Sequence, residues 1–356
     1  MERYLGLDVH AASCTLAVLS QTGKRLTDFP IETNGQSLVE AIRRIPGHKH
    51  LVFEEGLQSA WLYETLCPHV DEIVVTGVTQ SRGQKSDKRD AYALAEKLRT
   101  GSLDLPIFKA PRQFGALREL SRMHLTLVRD VVRVQSRLKS LYRSRGIPAS
   151  GLAVYSTRRR EEWQDQLPAS VRPRAAGFYA QLDFLVEQKK QAEHELLRES
   201  RKHPIARILE TAPGFGPIRS ARLVPIVVTP HRFRTKRQFW SDCGLGIVMR
   251  SSSDWIRTAD GGWSRGRVAQ TRGLSRAYNH VLKDLFKGAA TTVITQRDKD
   301  PIYAGYQRML DGGTKPNLAK LTLACTIAAT VLSMWKHEEV YRPEQTRRST
   351  TTDRDA

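Results

Sequence analysis

Four acidic positions in the first hundred residues have the spacing to act together. Asp8 ends the first β-rich run, and Glu54 and Glu55 end a later apolar run (Leu51, Val52, Phe53). Asp87 and Asp90 lie one helical turn apart at the start of a segment that opens at Ser86. Carboxylates from two strand ends and one helix start can meet at an edge of a sheet. There they repel one another unless a divalent cation neutralises them, and hard ions such as Mg²⁺ or Mn²⁺ prefer oxygen ligands. Ions held in this way can bind a phosphodiester and stabilise its attacking and leaving oxygens. Taken singly, Asp8 and Glu55 read as loop charges, and Asp87 and Asp90 as complements to a helix dipole. Their order along the chain favours a metal site made by Asp8, Glu54, Asp87 and Asp90, with Glu55 as the alternate to Glu54.

The elements that must position these acids are legible as alternating strands and helices. Arg3–His10, Ala12–Ser20 and Lys24–Thr33 read as three strands with hairpin spacing. A helix capped by Asn34 follows, with Leu38, Ile42 and Ile45 along one face, ending at Pro46–Gly47. Then come a strand at His50–Glu55, a helix near Ser59–Leu66, a strand at Glu72–Val78, and a helix from Ser86 to about Leu98. This pattern predicts a mixed sheet flanked by helices over residues 1–108.

The chain has 57 Lys and Arg against 37 Asp and Glu, a formal charge of +20, and 40 of the 57 are Arg. Such an excess of planar, five-donor groups favours a polyanion, and nucleic acid is the commonest one in the cytoplasm. An apolar share of 40% excludes wholesale disorder. The stretch Leu323–Trp335 is short for a bilayer and carries Cys325, Thr326, Thr330 and Ser333. Glu2, Arg3 and Asp8 interrupt any signal-peptide core. The reading is therefore a cytoplasmic protein with no membrane partner. Four scattered cysteines with no Cys-x-x-Cys pair argue against a zinc site.

Pro106 and Pro111 mark a linker into a helical spacer, residues 109–202. Leu117, Leu120, His124, Leu127, Val131, Val134, Leu138 and Leu141 keep a 3/4 spacing, as do Ala175, Phe178, Leu182, Leu185, Lys189, Ala192 and Leu196. The two seams can pair within the chain or with a second copy. Arg118, Arg122, Arg129, Arg133 and Arg137 form a stripe beside the first seam, in a stretch with only two acids, and read as phosphate contacts. In a mostly α-helical third region, residues 203–340, Pro213-Gly214-Phe215-Gly216-Pro217 separates two helical patterns. That is the sequence form of a helix-hairpin-helix, whose turn offers N–H groups of Gly214 and Gly216 to a phosphate. A tight turn between core helices looks similar. A Gly-rich loop at Asp260–Gly266, a basic helix from about Leu274, an apolar helix near Asn317–Trp335 and a disordered tail from 341 to 356 complete the reading.

Gly6-Leu7-Asp8-Val9-His10, Val52-Phe53-Glu54-Glu55-Gly56 and Lys85-Ser86-Asp87-Lys88-Arg89-Asp90-Ala91 resemble the D…E…DxxD signature of the DEDD transposases of the insertion-sequence one-ten family, relatives of Piv-type DNA invertases. Gly244-Leu245-Gly246 leading to Ser251-Ser252-Ser253, together with the Pro213–Pro217 turn, resembles the second domain of that family. The similarity runs to about residue 338. It implies a RuvC-like, RNase H-like α/β N-terminal domain and Mg²⁺ (or Mn²⁺) on the acids. It also implies a serine that attacks DNA to give a 5′-phosphoserine link. The position matching that nucleophile is Ser252, with Ser251 and Ser253 as alternates; by itself the triplet reads as a polar loop. The implied partners are element-end and target DNA, a structured guide (bridge) RNA, and further copies of the chain in a dimer or tetramer. Two sequence departures bear on the register: Gly56 follows Glu55 directly, and Ile247 stands where a proline often follows the Gly-Leu pair.

Two other readings compete with the recombinase. A junction-resolving nuclease would use the same acids with water and leave the serines idle. A non-catalytic nucleic-acid-binding protein would keep the acids as structural charges. An actin-like ATPase is disfavoured because Val9-His10-Ala11 follows Asp8 where a phosphate loop needs glycine.

Overall fold

The structure, a computed structural model, describes residues 1–78, 86–103, 106–108, 113–249, 255–265, 271–274, 277–296 and 300–343. Two compact units divide the chain, Met1–Gln113 and Phe114–Ala356.

In the first unit β1 (Glu2–Val9), β2 (Ser13–Ser20) and β3 (Arg25–Glu32) form an antiparallel meander. Helix α1 (Gly35–Arg43) then leads to β4 (His48–Glu54), α2 (Ser59–Leu66) to β5 (Glu72–Thr76), and α3 (Asp87–Arg99) to a two-residue strand β6 (Pro106–Ile107). The sheet order is β3-β2-β1-β4-β5-β6, with β1, β4 and β5 parallel and β6 antiparallel to β5. The linker expected at Pro106 thus begins as an edge strand, a place where a residue lacking an N–H is tolerated. Asn34 caps α1 as expected, its side chain accepting from the Ser37 N–H at 2.8 Å. Ser86 stands at the N-cap of α3, where the sequence expects the helix to open, but makes no side-chain cap bond.

Strand alternation divides the sheet residues between two faces. Leu5, Leu7, Leu51 and Phe53 pack with Leu38 and Ile42 of α1 and Leu62 and Leu66 of α2 in one core. Tyr4, Ala17 and Leu19 take Ala91, Tyr92 and Ala95 of α3 on the other face. Gly6 lets α3 approach, because a Cβ there would stand 1.9 Å from the Ala91 carbonyl oxygen. Lys88 pairs with Asp28 of β3 at 2.7 Å and the Tyr92 hydroxyl donates to the same carboxylate at 3.1 Å, which fixes α3 along the sheet.

The second unit opens with α4 (Gly115–Arg143), a short α5 (Arg160–Asp165) and α6 (Arg172–Ser200). Both expected seams exist, and they pair with each other inside the chain. Leu138, Leu141 and Tyr142 meet Ala175 and Tyr179, and Val131 and Val134 meet Leu182. The Tyr142 and Tyr179 hydroxyls are 3.0 Å apart. Leu117 and Leu196, at the open end of this antiparallel hairpin, belong to the core of the helices that follow.

Those helices are α7 (Pro204–Glu210), α8 (Pro217–Val227), α9 (Lys236–Asp242), α10 (His280–Gln296), α11 (Pro301–Asp311) and α12 (Pro316–His337). Between α9 and α10 lie β7 (Ile247–Met249), β8 (Trp255–Arg257), β9 (Trp263–Arg265) and β10 (Thr271–Leu274). The basic helix expected from Leu274 therefore starts at His280, since residues through Leu274 extend to pair with β7. Helix α12 is long and apolar enough by length and composition to cross a membrane, which the shorter stretch considered in the sequence did not suggest. Nine of its side chains, including Leu323, Ile327, Val331 and Trp335, are buried in the unit's core.

Candidate metal centre

Leu7 of β1 stands beside Phe53 of β4 in the parallel ladder, so Asp8 and Glu54 follow at one level on adjacent strands. Alternation puts both on the α3 face of the sheet, whereas Glu55 falls in the opposite phase, its N–H donating to the Thr76 carbonyl at 2.8 Å. The Gly6–Ala91 approach brings the first turn of α3, and with it Asp87, to the same sheet end.

A histidine completes the group. His10 Nε2 lies 3.3 Å from Asp8 Oδ2 and 3.5 Å from Asp87 Oδ1. Asp8, His10 and Asp87 each offer one ligand atom, all within 4.8 Å of one another, and could hold a metal ion. Glu54 and Asp90 stand outside this trio, although Asp90 is near enough for its charge to act on Asp8. Burial pushes the Asp8 carboxyl above its ordinary range; His10 opposes that rise, and the Asp87 and Asp90 charges add to it. A site in which ionised acids are this costly is one that a cation stabilises. The donor set, two carboxylates and an imidazole, suits a divalent ion.

The sequence reading overlooked His10, although a signal was present. Residues two apart on a strand share a face, so Asp8-x-His10 at a strand end aims both side chains the same way. The backbone holds the ring in place: the His10 N–H donates to the Ser13 carbonyl at 3.1 Å, and its carbonyl accepts from Thr33 Oγ1 at 3.0 Å.

Ser251, Ser252 and Ser253 lie outside the described residues. Gly244-Leu245-Gly246, which precedes them, follows α9, and Leu245 is buried in the core.

The arginine stripe divides by role. Arg118 donates to the Pro225 carbonyl of α8 at 3.4 Å, and Arg122 and Arg133 pair with Glu119 and Asp130 on their own helix, each at 2.9 Å. Arg137 is exposed. Arg129 faces a cleft of about 430 Å³ together with Gly216, Arg219 and Arg222. In the Gly-rich turn, Gly214 has φ +68° and sits where a Cβ would meet the Ala289 carbonyl oxygen at 2.3 Å. Its carbonyl accepts from Arg219 Nη1 at 2.6 Å, so Gly214 packs against α10 while Gly216 lines the cleft at the start of α8. Burial lowers the pKa of Arg222; the Glu193 charge opposes that fall, and the Arg129 and Arg219 charges add to it. Anions relieve such crowding.

A second surface was not apparent in the sequence. Strands β8 and β9 pair Trp255 with Arg265 and Arg257 with Trp263, and both tryptophans are exposed. A two-stranded ribbon with aromatic rings on its surface has the form of a base-stacking platform.

Comparison with known proteins points to one family. Residues 5–144 match the DEDD transposase profile of the IS110 type, and residues 206–307 match the "Transposase IS116/IS110/IS902 family". Over 96% of both chains, the sequence is 24% identical to the "Insertion element IS116 uncharacterized 44.8 kDa protein" of Streptomyces clavuligerus.

Proposed function

Since the chain belongs to the IS110 family of insertion-sequence transposases, we propose that it cuts and rejoins DNA through metal-binding carboxylates and a serine nucleophile. The observation that carries this reading is the meeting of Asp8, His10 and Asp87 at one sheet end, in a chain of this family. Asp8 and Asp87, with Glu54 and Asp90 nearby in the fold, hold Mg²⁺ or Mn²⁺. When bound, the ion supplies charge neutralisation and Lewis-acid activation at the phosphodiester.

Ser252 is the nucleophile, with Ser251 and Ser253 its alternates. Its Oγ forms a bond to phosphorus as the P–O3′ bond breaks. The hydroxyl proton passes to a base, and the departing 3′-oxygen takes one up. The product is a 5′-phosphoserine link, which a 3′-hydroxyl of a second strand can attack to rejoin DNA and free the serine.

The N-terminal domain, residues 1–108, is RNase H-like in this reading, in keeping with its strand order. The helical spacer, residues 109–202, leads to a C-terminal domain, residues 203–340, whose α7-turn-α8 segment acts as a helix-hairpin-helix. A structured guide RNA selects target and donor DNA, and several copies of the chain assemble on them. The cleft at Arg129 and the Trp255/Trp263 ribbon grip nucleic acid. Double substitution Trp255→Ala/Trp263→Ala is expected to weaken single-stranded nucleic-acid binding by roughly tenfold or more, at about 1–3 kcal/mol per stacked base. Fluorescence anisotropy checks it; an unchanged affinity removes the ribbon from the interface.

Incubating the full-length protein with element-flanking DNA, Mg²⁺ and the element's structured RNA tests the whole reading. Rejoined DNA and a protein–DNA adduct, both abolished by chelator, are expected. Cleaved ends without an adduct would instead favour a junction-resolving nuclease. Binding without breakage, with Mg²⁺ or Mn²⁺ and with the element's RNA, would leave a nucleic-acid-binding protein.

A further inference from the structure

We infer that His10 is a nitrogen ligand of the metal centre and that it tunes the site toward Mn²⁺ over Mg²⁺. The inference rests on the metal reading above and adds to it the ligand that the acidic signature omits. Three observations carry it. His10 Nε2 faces both Asp8 Oδ2, at 3.3 Å, and Asp87 Oδ1, at 3.5 Å, so the ring nitrogen and the two carboxylates converge on one point. Its backbone is tied on both sides, by Ser13 and Thr33, so the ring is presented by a fixed turn. The side chain remains about half exposed, which leaves an ion room to enter with its waters.

The chemistry follows from the donor set. Mg²⁺ demands oxygen and gives up its water reluctantly, so an imidazole adds little to its binding. Mn²⁺, a first-row transition ion, keeps the carboxylate oxygens and takes up an imidazole nitrogen more readily than Mg²⁺ does. A trio of two acids and one histidine therefore discriminates between two ions that an all-carboxylate site would hold more equally. Removing the imidazole should cost Mn²⁺ binding and leave Mg²⁺ binding nearly unchanged. A purely structural His10, acting only as a hydrogen-bond partner of the acids, would affect both ions alike.

Mn²⁺ titration of the full-length protein, followed by electron paramagnetic resonance, provides a readout independent of DNA cleavage. Pulsed measurements on the bound ion are expected to show ¹⁴N coupling from one imidazole in the wild type and none in His10→Ala. Mn²⁺ affinity is expected to fall about tenfold or more in His10→Ala and His10→Gln, while Mg²⁺ affinity, read by calorimetry, changes less than twofold. Thermal melting of the two variants establishes that they fold; if His10→Ala does not, His10→Gln carries the test. Bound Mn²⁺ with no nitrogen coupling, or equal losses for both ions, overturns the assignment of His10 and leaves the carboxylate site standing. Failure of the wild type to bind either ion, with Asp8→Asn indistinguishable from it, overturns both.

Discussion

An Asp8→Asn protein is expected to cut and join DNA on the order of 10³-fold more slowly than the wild type, yet to melt at a higher temperature when no metal is present. The first effect follows from the metal reading: an amide keeps the shape of the carboxyl but not the charge that holds a divalent ion against a phosphodiester. The second follows from the cost of the charge itself. Burial disfavours the ionised Asp8 carboxyl, and the Asp87 and Asp90 charges disfavour it further, so its pKa in the fold lies above the ordinary value. For an acid with a raised pKa, stability is full at low pH, where the carboxyl is neutral, and falls as pH rises through the folded value. At neutral pH the wild type carries that cost and the asparagine variant does not. A gain of about 1–3 °C in melting temperature is the expected scale. The gap should close on acidification, as the wild-type carboxyl takes up its proton. Added Mg²⁺ or Mn²⁺ should raise the wild-type melting temperature and leave the variant's unchanged, because only the wild type gains binding energy from the ion. Calorimetric melts at pH 7 and pH 4, with and without metal, read all of this. An Asp8→Asn protein that keeps full strand transfer, or that gains from metal as the wild type does, would contradict the assignment.

Ser252→Ala is expected to abolish the protein–DNA adduct and to slow recombination by at least about 10⁴-fold, the scale of removing a nucleophile outright. DNA binding should persist within a factor of about two, since a methyl group replaces a hydroxyl and no charge on the phosphate-facing surfaces changes. Denaturing gels with end-labelled DNA separate adduct from free strand. Ser251→Ala and Ser253→Ala, measured in parallel, should retain the adduct. An adduct that survives Ser252→Ala but disappears with one of its neighbours moves the nucleophile by one position. One that survives all three substitutions places the nucleophile at another side chain of the protein, since a covalent link to DNA needs a protein atom to carry it.

The two halves of the site were legible to different degrees. Asp8, Glu54 and Asp87 could be picked out because strand and helix ends are written in local patterns: apolar alternation ending in an acid, and a Ser-Asp helix start. His10 did not stand out, since the Asp8-x-His10 spacing gives its side chain a direction but names no partner from another element. Only the turn through Ser13 and the approach of α3 bring its ring between two carboxylates. The choice between Glu54 and Glu55 was ambiguous in sequence because both end the same apolar run. The parallel register of Leu7 with Phe53 gives them opposite phases. Arg118 read as one member of a phosphate-facing stripe, and its contact with the Pro225 carbonyl belongs to the packing of α4 on α8.

The amino-acid sequence alone determined what depends on neighbours along the chain: the order of strands and helices in the first hundred residues, the two heptad-like seams, the acids at element ends, and the excess of arginine. Tertiary structure decided what depends on residues far apart in sequence. It paired the two seams with each other within one chain, turned the Pro213–Pro217 segment partly into packing against α10, and set His10 against Asp8 and Asp87. The physical reason is that periodicity and capping act within a few residues. Which faces meet, and at what distance, depends on burying apolar surface across the whole unit, and at Gly6 it depends on there being no side chain to keep β1 and α3 apart.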